Sequence, residues 1–281
     1  GSASGKRNRF WLTSGVVCLF LATTVVVGTT AFSAHTQDKA SQEAKAKLTK
    51  VANLLKRGAY QECQEEAQEL REDSPLFEDI QKLGYDCQQL SFAQQLASDG
   101  QFKDAIKALM RINFDSIAAS DAWHKIAQWS NVSLGEPTKE VINRLGKPTG
   151  MERNPSDWTK IWQSLGVDVD PSRWITRKQI YELVPGEITL EILLDCPVLG
   201  KGEVHQTDFI LAQSVDLSLM EAKLSWILGG NISESIKHGI EQVYHHQANR
   251  YGFNTTQFNG VIERDDSNQI RLAIREREID N

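Results

Sequence analysis

The stretch GAYQECQEEAQEL at residues 58–70 returns as GQFKDAIKALMRI at 100–112, and this repetition determines the predicted fold. A shift of 42 residues aligns the two stretches without a gap, and the register holds from about residue 51 to 129. Fixed periods of about 20–50 residues are typical of stacked helical hairpins. Gly58 and Gly100 are each expected to end a helix, because helices commonly stop at a left-handed position that glycine adopts easily.

The residues after each glycine resemble a known repeat family. An aromatic residue stands two places after each glycine, a small residue such as Cys63 follows three places later, and the second unit closes on the pattern Ile126-x-x-Trp129. This combination resembles the turn of tetratricopeptide repeats and, more closely, the degenerate repeats of cyanobacterial single-pass membrane proteins, over about residues 47–130. The first unit departs from the pattern, because Cys87 stands where the Trp is expected. The resemblance implies a helical region that holds protein partners and does no chemistry.

The N-terminal sequence has the pattern of a membrane anchor. Residues 1–9 carry three basic side chains, and residues 10–34 carry no charge. A helix of that length spans a hydrocarbon core of ~30 Å. Since basic flanks stay in the cytoplasm, one transmembrane helix is predicted, with the bulk of the chain in the periplasm or an equivalent lumen. The alternative is a cleaved signal peptide, because small residues surround Ser33.

The composition changes after Ser130, which separates a helical repeat region at 35–130 from a second domain at 131–281. EITLEILLDCPVL and EVHQTDFILAQSVDL alternate as strands do, and two longer helices follow them. The mixture predicts a modest antiparallel sheet. The predicted fold class is therefore one N-terminal transmembrane helix, all-α helical-hairpin (TPR-like) repeats and a small α+β domain. Residues 1–9 are interpreted as a cytoplasmic basic flank or a linker remnant, and a cytoplasmic domain is expected upstream of them in the alternative function given below.

Cys63 and Cys87 are predicted to form a disulfide. They lie 12 residues on either side of Pro75, which marks a turn between two helices. Equidistant positions of an antiparallel hairpin sit at the same height, so the two Cα atoms can approach the ~4.4–6.8 Å that a disulfide requires. The alternative is a pair of buried free thiols, which are common in helical cores.

His238, Glu241 and His245 are the strongest metal-ligand candidates in the sequence. At helical spacing these residue types form one stripe that zinc could use. Apolar residues fill the opposite stripe and must face the core, so a solvated polar face without a metal is the favoured interpretation. The sequence contains no nucleophile elbow, phosphate loop, HExxH or Cys-x-x-Cys motif, and no cofactor is predicted.

Acidic residues dominate the charge of the chain. The net charge of −6 argues against a nucleic-acid partner, which requires a concentrated basic face. Glu65, Glu69 and Glu72 crowd one helix of the first repeat unit, which is either a solvated face or an acidic docking surface. Together with Trp123 and Trp129 they are the predicted partner-binding residues.

These features predict a protein without enzymatic activity. The expected function is a membrane-anchored, non-catalytic scaffold or assembly factor. It binds another envelope or membrane protein through its helical repeats and the lipid bilayer through residues 10–34. The alternative is the extracytoplasmic sensor region of a longer single-pass signalling protein. A hydrolase using the His238, Glu241 and His245 face is the third hypothesis.

Overall fold

The computed structural model of the chain describes residues 38–113, 115–153, 162–167, 177–194, 202–230 and 232–277. The chain divides into two compact units, the first ending at Tyr85 and the second beginning at Asp86. This division falls inside a continuous helix. It differs from the change of composition after Ser130, because the helices between 86 and 130 pack within the second unit.

The described part of the first unit is helical. Helix α1 covers residues 38–56, α2 covers Tyr60–Gln68, and α3 covers Phe77–Ser98 and crosses into the second unit. Gly58 follows α1 with a φ of 74°, and Gly100 follows α3 with a φ of 76°. Both glycines thus adopt the left-handed conformation that other residues disfavour, and the prediction that they end helices is confirmed.

The second unit is built on a seven-stranded antiparallel sheet with the strand order β1-β2-β3-β4-β7-β6-β5. The strands are β1 (Gly150–Arg153), β2 (Arg177–Val184), β3 (Ile188–Leu194), β4 (Val204–Leu211), β5 (Arg250–Asn254), β6 (Phe258–Arg264) and β7 (Ile270–Glu276). The helices are α4 (Phe102–Leu109), α5 (Ala119–Trp129), α6 (Thr138–Leu145), the helical turn α7 (162–164), α8 (Leu217–Ile227) and α9 (Glu234–Tyr244).

The sheet has two chemically different faces, because side chains alternate along each strand. The apolar face carries one row of large side chains that are register partners across six strands: Tyr181, Leu190, Phe209, Leu272, Ile262 and Tyr251. Helices α8 and α9 pack on this face. The polar face carries charged and amide side chains at its centre and is contacted by α7: Lys178, Glu191, Gln206, Asp208, Arg271 and Arg275.

The predicted fold class is wrong. The chain does not continue as a stack of TPR-like hairpins, and its sheet has seven strands rather than the modest number expected. Helix α4 contacts β2 and α6, and α5 contacts α8. Ala105, Ile106 and Leu109 of α4 are buried as a hairpin stack would bury them, but the layer covering the sheet takes the place of a third hairpin. A local repeat specifies an apolar helix face without specifying what covers it.

The predicted single-pass membrane topology is also corrected, together with the localisation that rested on it. Within the part of the chain that the structure describes, no helix is both long enough and apolar enough to cross a bilayer. Helix α3 has 22 residues, but charges such as Glu78, Lys82 and Asp86 interrupt its apolar side chains. The predicted anchor at 10–34 lies outside the described residues.

Most strands of the sheet lie where the alternation of side chains places them. EITLEILLDCPVL contains β3, and EVHQTDFILAQSVDL contains β4. The stretches 258–263 and 270–275, which the sequence also predicts to be closing strands, are β6 and β7. The short edge strands were missed, because β1 and β5 have four and five residues and expose most of their described side chains. Too few residues alternate in them to distinguish a strand from a helix end or a loop.

Candidate functional site

A groove of about 590 Å³ lies between α5, α8 and the start of α9. This volume falls in the range of ~300–1,000 Å³ that is usual for binding sites. Its lining combines hydroxyl, charged and small apolar side chains: Ser116, Ala119, Ser120, Trp123, His124, Ser218, Glu221, Ala222, Ser225, Gly230, Ile232 and Lys237.

The α8 wall of the groove is a single helix face. Ser218 lies three and four residues before Glu221 and Ala222, and Ser225 lies four and three residues after them. These spacings bring the four side chains onto one side of the helix. The helix is held at its start by Asp216, whose carboxylate accepts from the backbone N–H of Ser218 at 2.7 Å. This capping fixes the first groove residue of α8.

The α5 wall carries Trp123, one of the predicted partner-binding residues. Its side chain is only 3% exposed, so it supports the wall of the groove more than it presents a surface. Ser116 stands at the start of this wall, where its hydroxyl accepts from the N–H of Ala118 at 3.1 Å and donates to Asp86. Trp129 lies at the last position of α5 and does not line the groove.

Lys223 joins the two walls. Its Nζ donates to the carbonyl oxygen of Ala127 at 3.3 Å and to the hydroxyl of Ser130 at 3.0 Å, and it lies 4.8 Å from the ring centroid of Phe209. Burial and, to a smaller extent, the charge of Arg144 lower the pKa of Lys223 to about 7. Since Lys223 belongs to α8 and its acceptors lie at the C-terminal end of α5, these bonds make the groove a preformed feature.

Glu221 is the carboxylate of the groove. Burial raises its pKa, Lys237 lowers it, and Glu241 and Asp216 raise it again. The ammonium of Lys237 lies 3.2 Å from Glu234, so its charge is shared with a second carboxylate. An added cation beside Glu221 would therefore stabilise the ionised carboxylate.

Lys223 and Glu221 were not predicted from the sequence. The only available signal was a lysine and a glutamate inside the otherwise apolar helix LSLMEAKLSWI, where a charged side chain needs a partner. That pattern reports the need for a partner but does not identify it. The partners of Lys223 lie 93 and 96 residues away along the chain.

The predicted metal-ligand candidates do not assemble a site. His238, Glu241 and His245 all lie on or directly after α9. The amide Nε2 of Gln242 lies 3.0 Å from Nε2 of His238, and the ring of His245 packs edge-on against Tyr244. In the described ranges, no three His, Cys, Asp or Glu side chains are arranged to hold a metal ion.

The predicted acidic face lies in the first unit and is partly neutralised there. Glu69 pairs with Lys47 at 2.9 Å, and Lys47 also pairs with Glu66 at 2.5 Å. Glu65 accepts from the amide of Gln61 at 3.1 Å. A cleft of about 370 Å³ borders Glu69. A docking role for this face stays a prediction.

Cys63 and Cys87 are both fully buried, and both are disulfide-bonded in the structure. They are therefore not the free thiols of the alternative interpretation. A disulfide stabilises a fold mainly by restricting the unfolded chain. Cys63 lies in the middle of α2 and Cys87 in the middle of α3, so each cross-linked position is in a helix rather than a loop.

The described site is thus a preformed polar groove with hydroxyl groups on two helix walls and one carboxylate in a partly dehydrated position. Hydroxyl groups donate and accept hydrogen bonds, which suits a ligand with both kinds of group. The resemblance of residues 47–130 to cyanobacterial repeat proteins stays a prediction. No family model, curated protein or solved structure matches this chain.

Proposed function

We propose that this chain is a non-catalytic binding module that holds a segment of a partner protein in the groove between α5, α8 and α9. The observation that carries the proposal is the preformed groove itself, whose walls are joined by the buried Lys223. A site that does not have to be ordered on binding loses less free energy than a flexible one.

The lining of the groove favours a polypeptide as its occupant. Four serine hydroxyls line it. The hydroxyl of Ser116 donates to Asp86, and those of Ser120, Ser218 and Ser225 can each donate to a main-chain carbonyl and accept from a main-chain N–H. Small apolar positions such as Ala119 and Ala222 leave room for side chains between these hydroxyls. A segment that places a lysine or arginine beside Glu221 would also relieve the repulsion from Glu241 and Asp216.

The proposal keeps one part of the function predicted from the sequence. Helix α5 belongs to the second repeat unit, so the repeat region supplies one wall of the groove. The other wall comes from α8, far along the chain. Partner binding in this form needs no membrane anchor and no metal.

Blocking the groove tests the proposal. The variant S225W places a large side chain on the α8 wall, and the control S235W places the same side chain on an exposed position of α9 that does not line the groove. The full chain is used to capture partners from its native cells, and the affinity of each purified partner is then measured by calorimetry. We expect S225W to weaken binding at least tenfold, E221Q to weaken it less, and S235W to leave it unchanged, with similar melting temperatures throughout.

Equal affinity of S225W and the wild-type chain for every captured partner would contradict the proposal. The charge reversal E65K/E69K/E72K separates the groove from the acidic face of the first unit. If this triple variant loses the partner while S225W keeps it, the docking surface is the one predicted from the sequence, and the groove is not the site.

A further inference from the structure

A chain of hydrogen bonds links the centre of the polar face to α7. The indole N–H of Trp162 donates to Oε1 of Gln206 at 2.9 Å, and Nε2 of Gln206 donates to Oδ1 of Asp208 at 2.7 Å. Nη1 of Arg271 lies 3.2 Å from Oδ2 of Asp208. Trp162, Gln206 and Asp208 are all 0% exposed, so the chain is sealed from water.

Asp208 is the inner end of a ladder of ion pairs across the polar face. The ladder runs through four contacts: Glu152 to Lys178 at 2.7 Å, Lys178 to Glu191 at 3.3 Å, Glu191 to Arg271 at 3.1 Å, and Arg271 to Asp208 at 3.2 Å. It contains three carboxyl groups and two cations. The ladder is therefore neutral when one acid is protonated. One nitrogen of Arg271, Nη1, contacts both Glu191 and Asp208.

Burial destabilises the ionised form of Asp208, the inner acid of the ladder. Its pKa is raised to about 7, with burial as the largest cause. Arg271, the bond from Gln206 and Lys178 lower the pKa, and Glu191 raises it. The other charged side chains that share this face lie on β2, β5, β6 and β7: Glu182, Arg250, Glu263 and Arg275. The described residues of α7 and its continuation to 167 carry no charge.

The segment 162–167 contributes to the burial of Asp208. Trp162 packs in one cluster with Leu193, Val261 and Ala273, and Leu165 and Val167 pack against the same cluster. Ala273 is the register partner of Asp208 in the neighbouring strand. The indole therefore covers the immediate surroundings of the carboxyl group, and lifting it would admit water.

We propose that Asp208 is a proton-controlled latch, which seats the segment 162–167 on the polar face while protonated and loosens it on losing its proton. An ionised carboxylate gains hydration when the segment lifts, whereas a neutral carboxyl gains little. In the seated state the pKa lies above its ordinary value of 3.8. Seating is therefore strongest at low pH, weakens as the pH rises from about 4 towards 7, and then levels off. This latch is independent of the groove and of the partner proposed for it.

Exchange of the Trp162 indole hydrogen tests the latch in the full chain. The seven tryptophans are labelled with 15N, and the Trp162 signal is assigned by its loss in W162F. Hydroxide-catalysed exchange from a fixed opening equilibrium rises by about one log unit per pH unit. The latch adds up to about one further log unit per pH unit below neutrality, because opening itself becomes easier. We expect a slope near two between about pH 5 and 6.5 in the wild-type chain.

Two variants test whether Asp208 causes the additional slope. D208N should give a slope near one and keep the segment seated, since its neutral amide can still accept from Gln206. E263Q changes another acid of the same face whose pKa burial raises, and it should keep the slope near two. A wild-type slope near one overturns the proposal, as does a slope near two in D208N or near one in E263Q. If D208N does not fold, the slopes of the wild-type chain and of E263Q test the proposal.

Discussion

The two faces of the sheet are buried by different chemistry. On the apolar face, a row from Tyr181 to Tyr251 is covered by helices, and its contacts are non-directional. On the polar face, buried carboxylates and cations are matched one to another through specific nitrogen and oxygen atoms. An apolar contact tolerates small displacements, whereas a buried charge that loses its partner is strongly destabilising. Among the side chains of the sheet itself, sensitivity to pH and to single charges is therefore expected mainly on the polar face.

The largest effect is expected for R271M. The change leaves Glu191 and Asp208 without their shared cation inside the sheet, so we expect a loss of about 3–5 kcal/mol in the free energy of unfolding at pH 8. The loss should shrink at pH 5, because Asp208 is then protonated and needs no cation. Urea denaturation at both pH values measures it, and R277M, at an exposed arginine after β7, is the control.

The neighbouring residue on the apolar face sharpens this test. L272A removes a fully buried side chain beside Arg271 and should cost about 2–5 kcal/mol at either pH, because no titrating group is involved. If R271M and L272A show the same dependence on pH, the proposed difference between the faces is wrong.

An intermediate effect is expected for added methyl groups. In G239A the new Cβ would meet the ring of Tyr251 at 2.2 Å, so α9 must move away from the apolar face, at about 1–3 kcal/mol. In G252A the new Cβ would meet only the methyl end of Leu165 at 3.0 Å, on the polar face. That side chain can shift, and the loss should stay below about 1 kcal/mol. Equal losses in thermal denaturation would show that both faces are packed with the same tolerance.

The last effect, which is small over any single pH unit, concerns Lys223, the buried lysine on the apolar side. Its pKa in the folded chain is about 7, against an ordinary value of 10.5, so the unfolded chain binds more protons between these values. The free energy of unfolding should therefore rise with pH from about 7 to 10, by at most ~1.4 kcal/mol per pH unit. K223M should remove this rise, and K139M, at an exposed lysine of α6, should keep it. A rise that survives in K223M would assign it to another group.

Local features of the fold were accessible from the sequence, whereas the arrangement of layers was not. The left-handed turns at Gly58 and Gly100 follow from backbone sterics, and β3 and β4 follow from alternation. The stack of hairpins was predicted wrongly because an apolar helix face packs equally well on a helix or on a layer above a sheet. Nothing within α4 itself distinguishes these two coverings.

The candidate sites illustrate the same limit. Trp123 was selected from the sequence and does line the groove, but Glu221 and Lys223 acquire their roles only where α8 meets α5. In the sequence alone, Asp208 is an ordinary polar residue of a predicted strand. Its burial depends on α7, and the separation between Trp162 and Gln206 is 44 residues.

By itself, the sequence determined where the helices before Gly58 and Gly100 end, that the stretches of β3, β4, β6 and β7 are strands, and that α4 has an apolar face. These properties depend on contacts within a few residues, which the order of amino acids specifies directly. Only the tertiary structure decided which apolar faces meet, and therefore which charges are sealed from water. The pairing of Asp208 with Arg271 spans 63 residues and that of Lys223 with Ser130 spans 93, and no local pattern records such distances. Burial, and with it the altered pKa values of Asp208 and Lys223, is a property of the assembled layers.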